Sequence, residues 1–239
     1  MDALTVAAVG MQDDLTRLNG ISQNLANVMT AGYKRVVPFS QHMEDAVSRT
    51  AGMPSAMPVP ASQSAIDPSA GTLRYTGNSL DVAIEGDGYF EVITEGGAAY
   101  TRHGTLHADA RGRLVTAQGH PLAGAAGELT VSGSAVTIER NGEVKQDGRV
   151  VGQLKLVRFA NPERLTVLGN GMFAQGEARI ADAGVGSTVR AGYQESSNVN
   201  SPREMIRLTE TMRHFESMQK VFQGYDEMME NAIRKLGEF

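Results

Sequence analysis

The strongest constraint on this chain is a change in the spacing of its apolar residues. At both ends they recur in steps of three and four, and in the middle they recur in steps of two. The first spacing lines one stripe of an α-helix and suits lengthwise helix packing, whereas the second lines one face of a β-strand. The sequence therefore predicts an α+β protein in which two long, coiled-coil-like terminal α-helices flank a central β-rich domain.

The N-terminal helix is predicted over Ala3–Met29, with Gly32 as its C-terminal cap. Gly10 and Gly20 each weaken an isolated helix by about 1 kcal/mol relative to Ala. The seam has Ser22 as a gap and otherwise consists of Leu4, Ala8, Met11, Leu15, Leu18 and Leu25. This heptad spacing predicts that the helix packs along a second helix.

The C-terminal helix has a clear start signal, because Ser201 suits an N-cap, Pro202 the first helical position and Glu204 a capping box. Its seam, interrupted by Gln219 and Asp226, consists of Leu208, Met212, Phe215, Phe222, Met229, Ile233 and Leu236. A second apolar row consists of Met218, Val221, Tyr225, Met228 and Ala232. Two rows predict burial on two sides, and hence partners beyond the first helix.

Strands and turns alternate between the two helices. The predicted strands are 80–85 and 89–93 around the Gly86–Gly88 turn, then 100–102, 113–116, 135–139 and 152–159. Turn signals are Gly96-Gly97, Asn141-Gly142, Asp147-Gly148 and Asn170-Gly171. A Pro-rich stretch at 51–70 indicates an extended connector. The predicted organisation is a helix over 1–32, a linker over 33–72, the β-rich domain over 73–182, a return connector over 183–200 and a helix over 201–239.

Composition narrows the possible functions. The formal net charge of −5 supplies no basic field for nucleic acid, and the absence of cysteine excludes disulfides and a cysteine nucleophile. Apolar runs long enough to span a membrane and the features of a cleaved signal peptide are both missing from the sequence. Composition alone therefore favours a cytosolic protein.

A search for catalytic and ligand-binding patterns ends without a site. His103 and His107 have the spacing of a helical metal pair, but they lie in a β-turn region and are better interpreted as strand and loop histidines. The stretch 184–188 resembles a phosphate loop but has no lysine. The sequence predicts a protein that is not an enzyme and that has no cofactor or metal.

Three segments carry a family resemblance. Ser22–Asn27, with the following Thr30, Gly32, Tyr33 and Lys34, closely resembles the N-terminal signature of flagellar rod and hook proteins. Ser197–Asn200 and the stretch 204–220 resemble their C-terminal signature, and 78–90 with 100–104 resembles the start of the rod β-domain. Tyr33 stands where Phe is common in that family. The resemblance covers essentially the whole chain in the family's order.

The resemblance implies a structural subunit of the bacterial flagellar basal-body rod, with the terminal helices in the inner tube and the β-domain outside. It implies export through the flagellar type III apparatus without a cleaved signal peptide, and a resting place in the periplasmic rod. The implied partners are other rod proteins and copies of this chain. The length and the stretch 213–220 favour a proximal-rod member, with a distal-rod member as the alternative. More distant alternatives are a secreted coiled-coil adaptor and a wall-modifying enzyme.

The assembly interface is predicted on the seams and on the signature asparagines. These residues are Leu4, Met11, Leu15, Leu18, Asn24, Leu25, Asn27, Asn198, Asn200, Leu208, Met212, Phe215, Phe222, Met229, Ile233 and Leu236. For the four asparagines, capping or local backbone bonding is an equal alternative to interface hydrogen bonding.

Overall fold

The computed structural model of the chain describes residues 3–38, 64–132, 136–181 and 187–236. The chain divides into two compact units. The first consists of Met1–Ala26, Val36–Ser64 and Asn200–Phe239, and the second of Asn27–Arg35 and Ala65–Val199. A helix at each end and a β-rich region between them confirm the predicted α+β class. Residues 51–63 of the predicted connector lie outside the described residues.

The first unit is an antiparallel helix pair. Helix α1 is Ala3–Ala26 and helix α2 is Ser201–Leu236. Strand β1, Val36–Pro38, packs beside α1. The N-cap of α2 is Asn200, because its Oδ1 accepts a hydrogen bond from the Arg203 N–H at 3.0 Å. The predicted cap at Ser201 is therefore one residue too late.

Helix α1 ends at Ala26, three residues before the predicted Met29, so Gly32 is too distant to cap it. The backbone of Gly32 has φ +67°, in the left-handed region. A Cβ built there would lie 2.4 Å from the backbone carbon of Arg102. Gly32 is therefore needed for a close approach of two backbone segments within the second unit.

The second unit consists mainly of strands. Strand β2, Ser64–Ile66, begins at the last residue of the middle segment of the first unit and continues into the second unit. The remaining strands are β3 Leu73–Tyr75, β4 Val82–Glu85, β5 Tyr89–Thr94, β6 Gly97–Thr101, β7 Leu106–Ala108, β8 Leu114–Thr116, β9 Ala123–Gly124, β10 Gly127–Glu128, β11 Val136–Ile138, β12 Glu143–Gln146, β13 Arg149–Gln153, β14 Leu156–Phe159, β15 Thr166–Gly169, β16 Met172–Ala174, β17 Ile180–Ala181, β18 Thr188–Ala191 and β19 Tyr193–Glu195. A 3-10 turn at Pro162–Arg164 precedes β15.

The largest sheet has six strands in the order β15-β16-β6-β5-β14-β17, and a three-stranded sheet has the order β11-β12-β13. Two-stranded ladders join β4 with β18, β3 with β19, β7 with β8 and β9 with β10. The predicted strands around Gly86–Gly88 form, but β4 pairs with β18 while β5 pairs with β6 and β14. The predicted return connector 183–200 therefore contributes two strands, β18 and β19, to the second unit.

Turn chemistry is confirmed at the tight hairpins. Asp147 (φ +49°) and Gly148 (φ +79°) join β12 to β13, and Asn170 (φ +52°) and Gly171 (φ +72°) join β15 to β16. Two successive residues with positive φ match the right-handed twist of paired strands.

Two clusters form the core of the second unit. One is mainly aliphatic and includes Val82 and Leu114 together with Phe90. The other is aromatic, where the Tyr100 and Phe159 rings meet edge-to-face with their centroids 4.8 Å apart. These two clusters hold the strands of the second unit together.

Candidate functional site

Three contacts set the register of the helix pair. The Asn24 Nδ2 lies 3.3 Å from Glu204 Oε2, and His214 Nδ1 lies 2.6 Å from Asp14 Oδ2. A Cβ built on Gly10 would lie 3.8 Å from the Met218 Cε. Residue numbers therefore fall along α2 by the same amount as they rise along α1, as expected for an antiparallel pair. Extending that register places Ala3 opposite Tyr225, so Asp226–Leu236 continues beyond the first described residue of α1.

The α1 stripe that faces α2 lies one residue before the predicted seam. Ala7, Asp14 and Ile21 recur at intervals of seven and are buried, whereas Leu15 is 44% exposed. Of the other predicted seam residues, Ala8 is exposed, and Met11, Leu18 and Leu25 are half-buried. The prediction of this stripe is wrong because it counted only apolar residues, and the true stripe contains polar side chains that α2 satisfies.

Two buried polar side chains of this stripe, Asp14 and Asn24, have partners on α2. Asn24 is 1% exposed, accepts a hydrogen bond from the Val36 N–H at 2.8 Å and donates one to the Val36 carbonyl at 2.8 Å. Glu204, also 1% exposed, binds Arg207 at 3.1 Å as well as Asn24. Buried polar groups are tolerated when they are paired, and such pairs fix one register of packing. Glu204 therefore acts between the helices.

The stripe of α2 that faces α1 combines both predicted rows. Leu208, Phe215 and Phe222 from the first row are half-buried, as are Met218 and Tyr225 from the second. Met212 and Met229 of the first row are 49% and 47% exposed. For Leu4, Ile233 and Leu236 the structure describes the helical backbone but not the side chains.

A set of apolar side chains on the two helices faces solvent, and we call it the exposed apolar set. Its members, between 44% and 59% exposed, are Val6, Val9 and Leu15 on α1 and Met205, Ile206, Met212, Val221, Met228 and Met229 on α2. Exposed apolar residues concentrated on two long helices are typical of a surface that binds protein.

A cavity of about 300 Å³ opens beside the Asp14–His214 contact, within the first unit. Its lining includes Arg17 and Arg207 as well as Glu204 and Glu210. Asp14 adds a third carboxylate to this lining and His214 stands beside it, so side chains of both charges are mixed along the wall.

A second cluster of functional side chains lies in the second unit. Lys34, Glu195 and Arg102 form a buried ion triad, with Lys34 Nζ 2.7 Å and Arg102 Nη1 3.2 Å from the Glu195 carboxylate. Their side chains are between 0% and 3% exposed. Arg102 also donates to the carbonyls of Ile84 and Gly86. Burial lowers the pKa of Lys34, and the charge of Glu195 opposes that change.

The predicted site asparagines have partners within the chain. Asn198 Oδ1 accepts from the Arg35 N–H at 2.7 Å, and its Nδ2 donates to the carbonyls of Asp67 and Ser69 at 3.0 Å each. Asn27 Oδ1 accepts from the Thr30 hydroxyl at 3.1 Å. Asn27 and the cap residue Asn200 therefore bond within three residues, whereas Asn198 bonds backbone groups that are distant in sequence.

Sequence reasoning missed the ion triad and the Asp14–His214 contact. Lys34 appeared only as part of the N-terminal signature, and its partner Glu195 is 161 positions away. The available signal was a lysine in a tightly turned segment beside Tyr33 and close to Val36, because a charge among apolar neighbours needs a buried partner.

Within the described residues, no group of three His, Cys, Asp or Glu side chains is arranged to hold a metal ion. Among the described helices, none combines the length and hydrophobicity required to span a membrane. His107 is exposed and His103 half-buried, and residues 184–186 of the phosphate-loop-like stretch lie outside the described part.

Comparisons with known proteins match both the β-rich region and α2. Residues 83–151 match the flagellar hook protein FlgE/F/G D1 domain, and residues 190–235 match the flagellar basal body rod FlgEFG protein C-terminal region. The chain is 31% identical to the flagellar basal-body rod protein FlgG of Agrobacterium fabrum over 266 residues, covering 99% of this chain and 100% of that protein. It is 31% identical to FlgG of Bacillus subtilis over 258 residues, covering 94% and 95%. It is also 31% identical to the flagellar basal-body rod protein FlgF of Mesorhizobium japonicum over 243 residues, covering 99% and 98%.

Proposed function

This chain belongs to the flagellar basal-body rod protein family and is a structural subunit of the rod, and we propose that it assembles in the proximal rod through α1 and α2. The family is structural, so the chain is not an enzyme; its place is the basal body and its partners include other rod proteins. The observation that carries the assembly proposal is the exposed apolar set, which lies on both helices of a protein whose full-length relatives are rod proteins.

The assembly interface follows from what the helix pair leaves exposed. Burying the exposed half of one Met, Val or Ile side chain contributes about 1 kcal/mol, so several such residues together can hold a subunit in a polymer. Of the predicted interface residues, Leu15, Met212 and Met229 belong to the exposed apolar set. We assign Leu4, Ile233 and Leu236 to the same interface from their sequence spacing.

The assignment to the proximal rod rests on length. The alignment with the FlgF relative runs over 243 residues, close to the 239 of this chain, whereas the alignments with two FlgG relatives run over 258 and 266 residues. The alternative is a distal-rod subunit, which the equal identity to FlgG supports. Basal bodies from cells that lack the distal-rod protein distinguish the two, since a proximal subunit stays attached there and a distal subunit does not.

The family also supports a route to the assembly site. We propose that the chain passes through the flagellar type III export apparatus and assembles in the periplasm. Blocking that apparatus should leave the chain inside the cell, and its undiminished arrival in the periplasm would contradict the proposed route.

One pair of variants tests the assembly interface. Met212→Asp places a charge on a side chain that is 49% exposed, so the helix content of the purified protein should stay unchanged while rods and motility are lost. Phe222→Asp changes a half-buried residue of the α2 stripe and should lower both helix content and assembly. Circular dichroism, electron microscopy of basal bodies and motility on soft agar are the measurements.

The control is Glu95→Lys, a charge change at an exposed residue between β5 and β6, which should leave motility intact. A motile Met212→Asp strain with normal rods would contradict the assembly proposal.

A further inference from the structure

The chain passes between its two units at four points, after residues 26, 35, 64 and 199. The three segments of the second unit that adjoin these points are held side by side. The Gly32 N–H donates to the Glu195 carbonyl at 2.7 Å, and the Asp67 N–H donates to the Arg35 carbonyl at 2.8 Å. The segment that follows α1, the segment that follows β2 and the segment that leads to α2 therefore form one bonded layer.

One side-chain amide joins all three segments. Asn198, on the segment that leads to α2, accepts from Arg35 on the first segment and donates to Asp67 and Ser69 on the second. These partners are backbone groups, so the amide holds the chain directions themselves. The bonding pattern requires a short side chain that carries both an acceptor and a donor, and the amide of asparagine supplies both.

A buried ion pair connects the same segments a second time. Lys34 Nζ donates to the Ser69 carbonyl at 2.7 Å and to Glu195 Oε1 at 2.7 Å. Glu195 Oε1 also accepts from the Gly71 N–H at 2.8 Å. We call Lys34, Ser69, Glu195 and Asn198 the connector clamp.

We propose that the connector clamp is the joint that keeps the three connecting segments of the second unit together under the load that a subunit carries in the turning rod. The inference rests on the rod function proposed above. Each of the three segments is bonded to both of the others, so force applied to one segment is shared with its neighbours, whereas an unclamped segment would extend alone. Asn198 is the positioning residue of this joint, because its amide fixes all three segments.

Single-molecule pulling on the purified full-length chain tests the joint directly. The natural chain has no cysteine, so Met29→Cys and Arg203→Cys supply the only two attachment points. Met29 is 89% exposed and Arg203 is exposed, and each lies on the helix side of the clamp residues of its own segment. At constant force, Asn198→Ala should speed the first rupture about tenfold or more, since several hydrogen bonds are lost together.

The matched control is Asn161→Ala in the same unit. Asn161 Oδ1 accepts from the Arg179 N–H at 2.7 Å and its Nδ2 donates to the Glu177 carbonyl at 3.4 Å, so a comparable amide is removed away from the connecting segments. The rupture rate of this variant should equal that of the parent. Equal rupture rates for Asn198→Ala and Asn161→Ala would overturn the proposal.

Two further readouts separate a force-bearing joint from a merely structural residue. Melting of the β-rich domain should be the same in both variants, and a domain-wide loss of stability confined to Asn198→Ala would overturn the joint. In cells, Asn198→Ala should assemble rods yet rotate more slowly than Asn161→Ala in viscous medium. Equal rotation under load would refute the force path while leaving the rod function intact, whereas the Met212→Asp test addresses the rod function alone.

Discussion

Removing the charge of Glu195 should be among the most damaging single changes in the β-rich unit. Its carboxylate is 1% exposed and is shared between Lys34 at 2.7 Å and Arg102 at 3.2 Å. Glu195→Gln leaves two buried cations without their counterion while preserving the size of the side chain. Breaking a buried ion pair by neutralising one partner costs about 3–5 kcal/mol of unfolding free energy.

The assay is chemical and thermal unfolding of the purified chain at pH 7. A loss of about 3–5 kcal/mol corresponds to a fall of roughly 6–20 °C in the melting temperature of a unit of this size. The control is Glu177→Gln, because the Arg164–Glu177 pair joins side chains that are 56% and 72% exposed. An exposed pair contributes about 0–1 kcal/mol, so the control should melt close to the parent.

The pH dependence identifies the cause of the loss. Burial lowers the pKa of Lys34, and the negative charge of Glu195 opposes that change. Without this charge, the pKa of Lys34 should fall further in Glu195→Gln. Between that lowered pKa and the ordinary 10.5, the unfolded state binds more protons, and the unfolding free energy therefore rises with pH. The gap between variant and parent should narrow from pH 7 toward pH 10. A Glu195→Gln protein within about 1 kcal/mol of the parent at pH 7 would refute the reasoning that the triad depends on this charge.

Two other changes test the packing of the same unit. Burial raises the pKa of Tyr89 to about 12 from 10.0, so its phenol stabilises the fold fully below pH 10 and loses that contribution between pH 10 and 12. Tyr89→Phe should abolish a loss of about 3 kcal/mol over that range in alkaline unfolding curves, and the same change at Tyr75, which is 70% exposed, is the control. Gly71→Ala should destabilise the unit in urea unfolding, because the new Cβ would overlap the Ser196 carbonyl oxygen. Gly96→Ala, whose nearest neighbour would lie 3.8 Å away, should be nearly silent, and equal midpoints for the two would contradict this packing.

The sequence by itself determined the kinds of element and their order. Apolar spacing located both helices, and dipeptides such as Asp147-Gly148 located hairpins in which two successive residues have positive φ. These features depend on neighbours a few positions away, so the local sequence is sufficient to predict them. The signatures near both ends led to the family for the same reason, since they consist of short runs of residues.

Only the tertiary structure decided which stripe of α1 is buried and which strands pair. Asp14 and Asn24 are buried because His214 and Glu204 satisfy them, and both partners lie about 200 positions further along the chain. Strands β4 and β18 pair across more than 100 positions, and Lys34 meets Glu195 across 161 positions. Burying a polar group is favourable only when its partner is in place, and that partner is set by the fold rather than by local spacing.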